Sequence, residues 1–186
     1  MKHLRTPALL LALLLLAALL CACGGGTLGP DGQKLVGRWA FNHDPGTCVI
    51  ELRSDGSARY EENDYRFAAD GDFLVLTDSA GKELRLRCLP NEEGLLLYLS
   101  TEYVCQGPAD GLVGLWVCAP KNWSFTFTET GAFLEDQTFP GTYTVNEQDS
   151  SFTLHYLEDF ADTVCYYQLD GDRMLVDYPW QLIRMN

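Results

Sequence analysis

The sequence predicts an all-β protein built as two tandem antiparallel meanders. Three observations carry that reading. Short runs alternate apolar and polar residues with a period of two, and Asp-Gly or Ala-Gly pairs punctuate them. An opening pentapeptide, Leu35-Val-Gly-Arg-Trp39, returns 77 residues later as Leu112-Val-Gly-Leu-Trp116.

The alternation defines the strands. Ser124 and Thr126 separate Trp123, Phe125 and Phe127, while Thr153 and His155 separate Phe152, Leu154 and Tyr156. Arg85 and Arg87 likewise separate Leu84, Leu86 and Cys88. Successive side chains of a strand point to opposite faces, so each run has one dry and one wet face. Asp55-Gly56, Asp70-Gly71, Ala80-Gly81 and Asp170-Gly171 lie between such runs. They supply the positive φ that tight hairpins need. Loops this short make sequential strands antiparallel neighbours. Seven or eight short strands are expected in each copy, and no segment shows helical periodicity.

The repeat extends beyond its opening. With the same shift Cys88 falls on Cys165. With small slips, Ser54-Asp-Gly56 falls on Glu129-Thr-Gly131, Tyr65 on Tyr143, and Phe73–Leu76 near Phe152–His155. Copy one therefore spans 35–105 and copy two 112–186, joined by a linker at 106–111 whose Gly, Pro and Asp suit a turn-rich connection.

At the N-terminus, Lys2, His3 and Arg5 precede a run from Pro7 to Leu20 made only of Pro, Ala and Leu. A basic start and a short apolar stretch form the pattern of a secretory signal. The run falls short of the roughly 20 apolar residues that cross a hydrocarbon core. It ends in Leu20-Cys21-Ala22-Cys23, which resembles a bacterial lipoprotein signal. In that family the acceptor cysteine follows a small residue and has Leu three positions before it. Cys23 meets both conditions; Cys21, directly after the bulky Leu20, does not. The resemblance implies a signal peptide at 1–22, a lipidated Cys23, and a flexible Gly-rich tether over 23–34. It further implies a protein held outside the cytoplasm, on the membrane of the bacterial cell envelope, by its lipid.

The full chain carries 26 acidic and 13 basic residues, a formal charge of −13. Loss of residues 1–22 removes Lys2 and Arg5 and no acid, leaving −15. Such a surface disfavours nucleic acid and anionic headgroups as partners. Export permits disulfides. Beyond Cys23 the cysteines are Cys48, Cys88, Cys105, Cys118 and Cys165, an odd number, so at least one stays unpaired within the chain. Cys105 and Cys118 bracket the linker and are the candidate pair.

Catalytic patterns are absent: there is no Gly-X-Ser-X-Gly elbow, His-Glu-X-X-His, P-loop or Rossmann glycine signature. His43, beside Asp44 in "FNHDPG", is the candidate base or metal ligand of a remote envelope-hydrolase reading. The acid clusters Glu61, Glu62, Asp64 and Glu158, Asp159, Asp162 lack the spacing of an EF-hand. No cofactor is expected.

A meander opening on Gly37-Arg-Trp39 and again on Gly114-Leu-Trp116 resembles the lipocalin-like domains of bacterial envelope proteins. That resemblance implies small barrels or sandwiches in which Trp39 and Trp116 plug the closed ends, with mouths that can hold a small apolar molecule. Trp180 follows Tyr178-Pro179. Pro179 is expected to interrupt the strand there, leaving Trp180 open as a partner contact. The expected function is a non-catalytic binding module for a small apolar ligand or an envelope partner. The alternative is a structural or protein-interaction module, an assembly factor or inhibitor. An apolar cavity within each copy separates the two readings.

Overall fold

The structure is a computed structural model that describes residues 28–108 and 110–185. Cys23 and the apolar run before it lie outside the described residues. Among the described residues, no helix is long and apolar enough to cross a membrane.

Fourteen strands form one antiparallel sheet system. The first seven are β1 (Gly37–Phe41), β2 (Asp44–Leu52), β3 (Ser57–Tyr60), β4 (Asn63–Asp70), β5 (Phe73–Thr77), β6 (Glu83–Asn91) and β7 (Gly94–Cys105). The second seven are β8 (Gly114–Cys118), β9 (Trp123–Phe127), β10 (Ala132–Glu135), β11 (Phe139–Asn146), β12 (Ser151–Tyr156), β13 (Thr163–Asp170) and β14 (Arg173–Arg184). Each strand pairs with the next, and β1 closes the order against β14.

The two longest strands decide the architecture. β7 and β14 pair along ten positions, from Leu95↔Leu182 to Val104↔Arg173. One half of β7 continues to β6 through Cys88↔Leu97, and the other to β8 through Cys105↔Trp116. β14 divides in the same way, pairing with β13 over Arg173–Asp177 and with β1 over Leu182–Arg184. Two closed circuits result, and both use the β7–β14 ladder as a wall. β1–β6 with Leu95, Leu97 and Leu182 enclose one core; β8–β13 with Tyr103, Met174 and Val176 enclose the other. The first core is mainly aliphatic, with Ile50, Leu52, Leu74 and Leu76 around Trp39. The second is aromatic: Trp116, Phe125, Phe127 and Phe152 are fully buried.

Pro179 does not break its strand. β14 runs through it unbroken, with Pro179 opposite Tyr98. The proline falls in the gap between the segments that pair with β13 and β1, where an N–H has no ladder acceptor on that side.

Each core buries one indole whose N–H is hydrogen-bonded. Trp39 Nε1 donates to the Leu35 carbonyl at 2.8 Å, and Trp116 Nε1 donates to the Leu112 carbonyl at 2.8 Å. Both rings are buried, so these bonds spare each indole the cost of a desolvated, unpaired N–H. Leu35 ends a short helix, α1 (Pro30–Leu35), in a segment expected to belong to the flexible tether. Pro30 at its first turn, an Asp31–Lys34 ion pair at 2.9 Å and burial of Leu35 order it. A 3-10 turn at Ala119–Lys121 is the other helical element among the described residues.

Corresponding turns carry corresponding hydrogen bonds, and these refine the sequence matches. The Phe67 N–H donates to Gly56 O at 2.9 Å as Tyr143 N–H donates to Gly131 O at 2.8 Å. Tyr143 thus stands where the first half has Phe67, not Tyr65. Cys88 N–H donates to Asp72 O at 2.7 Å and Tyr167 N–H to Ser150 O at 2.8 Å, so Cys165 corresponds to Leu86 rather than Cys88. Hairpins of unequal length shift the offset: Tyr60↔Asn63 closes one, Glu135↔Phe139 the other.

Cys105 and Cys118 do not form the expected bridge. Cys48, Cys88, Cys105, Cys118 and Cys165 all carry free thiols. Cys105 pairs with Trp116, which makes Cys118 its diagonal neighbour. Diagonal neighbours lie about 7–8 Å apart, too far for the roughly 4.4–6.8 Å Cα separation of a disulfide. Cys105 Sγ instead points the other way, over Gly114, 3.1 Å from where a Cβ would stand. The glycine leaves the room that the thiol fills.

Candidate binding site

Buried side chains make up both cores, and space for a ligand opens at the mouths of the circuits. The mouths face the middle of the shared ladder, where Leu99 stands opposite Tyr178.

The second mouth is the better-built site. A cavity of ≈ 390 Å³ is lined by Glu135, Asp136, Phe139, Tyr156, Phe160, Ala161, Thr163 and Tyr178. Each side chain arrives there for a local reason. Alternation along β10 sends Phe133 inward, and Glu135, two residues on, follows on the same face at the strand's end. The chain then turns through Asp136 and Gln137, both with positive φ (48° and 56°). Asp136 Oδ1 stabilises that turn by accepting the Ser124 N–H at 2.6 Å. β11 begins with Phe139, β12 ends with Tyr156, and Tyr178 projects from the middle of β14. The loop between β12 and β13 adds Phe160, 51% exposed, and its neighbour Leu157 is 74% exposed.

Rings form most of the wall. Tyr156 meets Phe133 and Phe160 edge-on at centroid distances of 5.2 and 5.6 Å, and Phe139 meets Phe160 at 5.8 Å. The Tyr156 hydroxyl donates to Glu135 Oε2 and lies 3.4 Å from the Tyr178 hydroxyl. Burial raises the Glu135 carboxyl above its ordinary value, against the opposing hydrogen bond from Tyr156. Burial also pushes the Tyr178 phenol up to about 12 and the Tyr156 phenol further still. Both tyrosines are therefore neutral donors near neutral pH.

The first mouth differs in chemistry. Its cavity, ≈ 650 Å³, is lined by Arg38, Glu51, Arg59, Glu61 and Glu62 as well as by Phe41, Tyr60 and Leu99. Tyr60 ends β3 there as Glu135 ends β10 in the second mouth. Charges of both signs replace the aromatic wall.

The residues singled out in the sequence fall elsewhere. Trp39 and Trp116 are buried in the two cores and line neither cavity. Trp180 is half-buried between the mouths, its ring 5.5 Å from Phe41, 5.7 Å from His43, 5.9 Å from Trp123 and 5.7 Å from Tyr178. His43 is exposed and stacks on Phe41 at 5.2 Å. Its neighbours are thus aromatic. His155 pairs with Asp162 at 2.9 Å. Among the described residues no group of three His, Cys, Asp or Glu is placed to hold a metal ion.

Glu135, Phe160 and Tyr178 were not singled out from the sequence. The signal for Glu135 was present: a carboxylate at the inward position of an alternating strand, two residues after Phe133.

No protein-family model matches the chain, and no curated protein or solved structure is significantly similar to it.

Proposed function

We propose that this chain is an extracytoplasmic lipoprotein, anchored through Cys23, that binds a small and largely apolar ligand without catalysing its conversion. The body would be two tandem lipocalin-like barrels that exchange one wall. Support for the repeat comes from the matched hydrogen bonds Trp39–Leu35 and Trp116–Leu112, and from the matched turns closed by Phe67 and Tyr143. The β7–β14 ladder adds to it: each strand gives one half to each core.

The cavity beside Glu135 carries the binding reading. It has the size of a small-molecule site and joins apolar walls to a few convergent polar groups. A solvent-exposed phenylalanine at its rim is costly to leave uncovered, and a ligand would cover it. The test is titration of the full chain, in detergent, with the neutral fluorophore 1-aminoanthracene. Saturable binding at one site per chain, weakened by Phe139→Ser, is the expected result.

One observation favours a second reading, a protein-interaction module without a ligand. Both cores are made of buried side chains, and the cavities beside Glu135 and Tyr60 lie at the mouths rather than among them. Absence of saturable dye binding would turn the assignment toward that module. The anchor has its own test: Cys23→Ser should release the protein from membranes, and continued attachment would overturn the choice of acceptor.

A further inference from the structure

We infer that the ligand of the second mouth is a small organic cation, an ammonium group carried on an apolar body. The inference rests on the binding reading above and names the ligand class for that same cavity.

Charge of one sign lines the cavity. Among the described residues, Glu135 and Asp136 are its only ionic residues, and no Lys or Arg lines it. The adjoining loop adds Glu158, Asp159 and Asp162, again without a base. An anionic ligand would meet carboxylates and no counter-charge. A neutral one would gain nothing from either carboxyl group.

The walls favour a cation independently. Phe139, Tyr156, Phe160 and Tyr178 surround the space. The face of an aromatic ring is the negative end of its quadrupole, and rings around a pocket attract ammonium groups, most strongly where water is excluded. Edge-on packing of Tyr156 against Phe133 and of Phe139 against Phe160 holds these rings in place before any ligand arrives.

Glu135 itself is half used. Its Oε2 accepts the Tyr156 hydroxyl, while Oε1 has no hydrogen-bond partner among the described residues. That oxygen is not a buried unpaired atom either, since no such atom occurs among the described side chains. It is therefore open to solvent, on a residue that lines the cavity, and can accept an N–H or neutralise a quaternary ammonium. The Tyr156 hydrogen bond fixes the carboxyl group, so a cation would meet a preorganised acceptor. The first mouth offers no equivalent, with Tyr60 at the matching strand end and Arg38 and Arg59 in its lining. One site per chain follows.

The experiment compares benzyltrimethylammonium with its uncharged carbon isostere, neopentylbenzene, by calorimetric titration of the full chain in detergent. The cation should bind at one site, and the isostere at least about tenfold more weakly. Glu135→Gln keeps the shape and the Tyr156 partner, and should bring the ratio of the two affinities to about one. Phe160→Ala, at an exposed position that cannot unseat the fold, should weaken the cation and serves if the glutamine variant is unstable. Equal affinity for both probes, or a preference that survives Glu135→Gln, overturns the cation inference and leaves the binding site standing. Saturation by neither probe overturns both.

Discussion

The guanidinium of Arg184 lies over the indole of Trp39, 4.4 Å from the ring centroid. The same group donates to the Val36 carbonyl and, at 3.5 Å, to the Lys34 carbonyl. The last residues of β14 thereby clamp the end of α1 onto the buried indole of the first core. In the second core Cys105 takes the corresponding place beside Gly114 and Trp116. The clamp is therefore a property of the first core.

Arg184→Ala should destabilise the protein by about 1 kcal/mol, the scale of an exposed cation–π contact with its hydrogen bonds. Arg184→Lys should recover little, because a lysine cannot span the ring and both carbonyls with one planar group. Urea midpoints of the two variants check this. A lysine variant as stable as the parent would mean that charge alone holds the clamp.

The shared ladder makes the two cores one cooperative unit. Phe152 is fully buried in the second core, against Phe125 and Phe127 at 6.3 and 5.2 Å. Phe152→Ala should cost about 3–5 kcal/mol. Its unfolding should remain a single transition, since β7 and β14 cannot leave one core and stay in the other. Calorimetry is the measurement, and two separated transitions would show that the ladder does not couple them.

Glu135 should make stability fall as pH rises. Burial, helped by the neighbouring charge of Asp136, raises its pKa in the fold, while Tyr156 opposes. The folded state therefore holds its proton at pH values where the unfolded chain has lost it. The stability contributed by the neutral acid is complete below the unfolded pKa and is lost as pH passes through the folded one. Glu135→Gln keeps the neutral shape at every pH. Its stability relative to the parent should climb as pH rises from the ordinary carboxyl range through the raised folded-state value. A pH-independent difference would mean that Glu135 is solvated in the fold.

Thiol reactivity should divide by burial. Desolvation pushes Cys88 up to about 12 and Cys165 well above its ordinary value, and Cys105 and Cys118 are buried as well. A disulfide-exchange reagent attacks the thiolate, so Cys48, the half-buried one, should react first and the rest only in denaturant. Mass spectrometry of the labelled, non-reduced chain reads the order. A bridged Cys105–Cys118 peptide would reverse the assignment of free thiols.

Most strands were legible because alternation and turn residues are local. Phe152, Leu154 and Tyr156 show a dry face to anyone reading six consecutive residues, and Asp170-Gly171 closes a hairpin within its own strand pair. The two similar pentapeptides each marked an indole that is buried. Expectations failed where neighbours in space decide. Pro179 looked like a break until its strand was seen to have an open flank, and Cys105 looked free to pair until its thiol was seen over Gly114.

The chain's own pattern was thus enough for an all-β meander, its turns and its two buried tryptophans, since each depends on residues a few positions apart. Which strands close the circuits was a different matter. Leu99 and Tyr178 meet across the middle of the molecule although 79 positions separate them, and nothing in the alternation of either strand encodes that partner. Glu135 shares this dependence. Its inward place at the end of β10 is local, but only Tyr156 and Tyr178, from other strands, make a site around it.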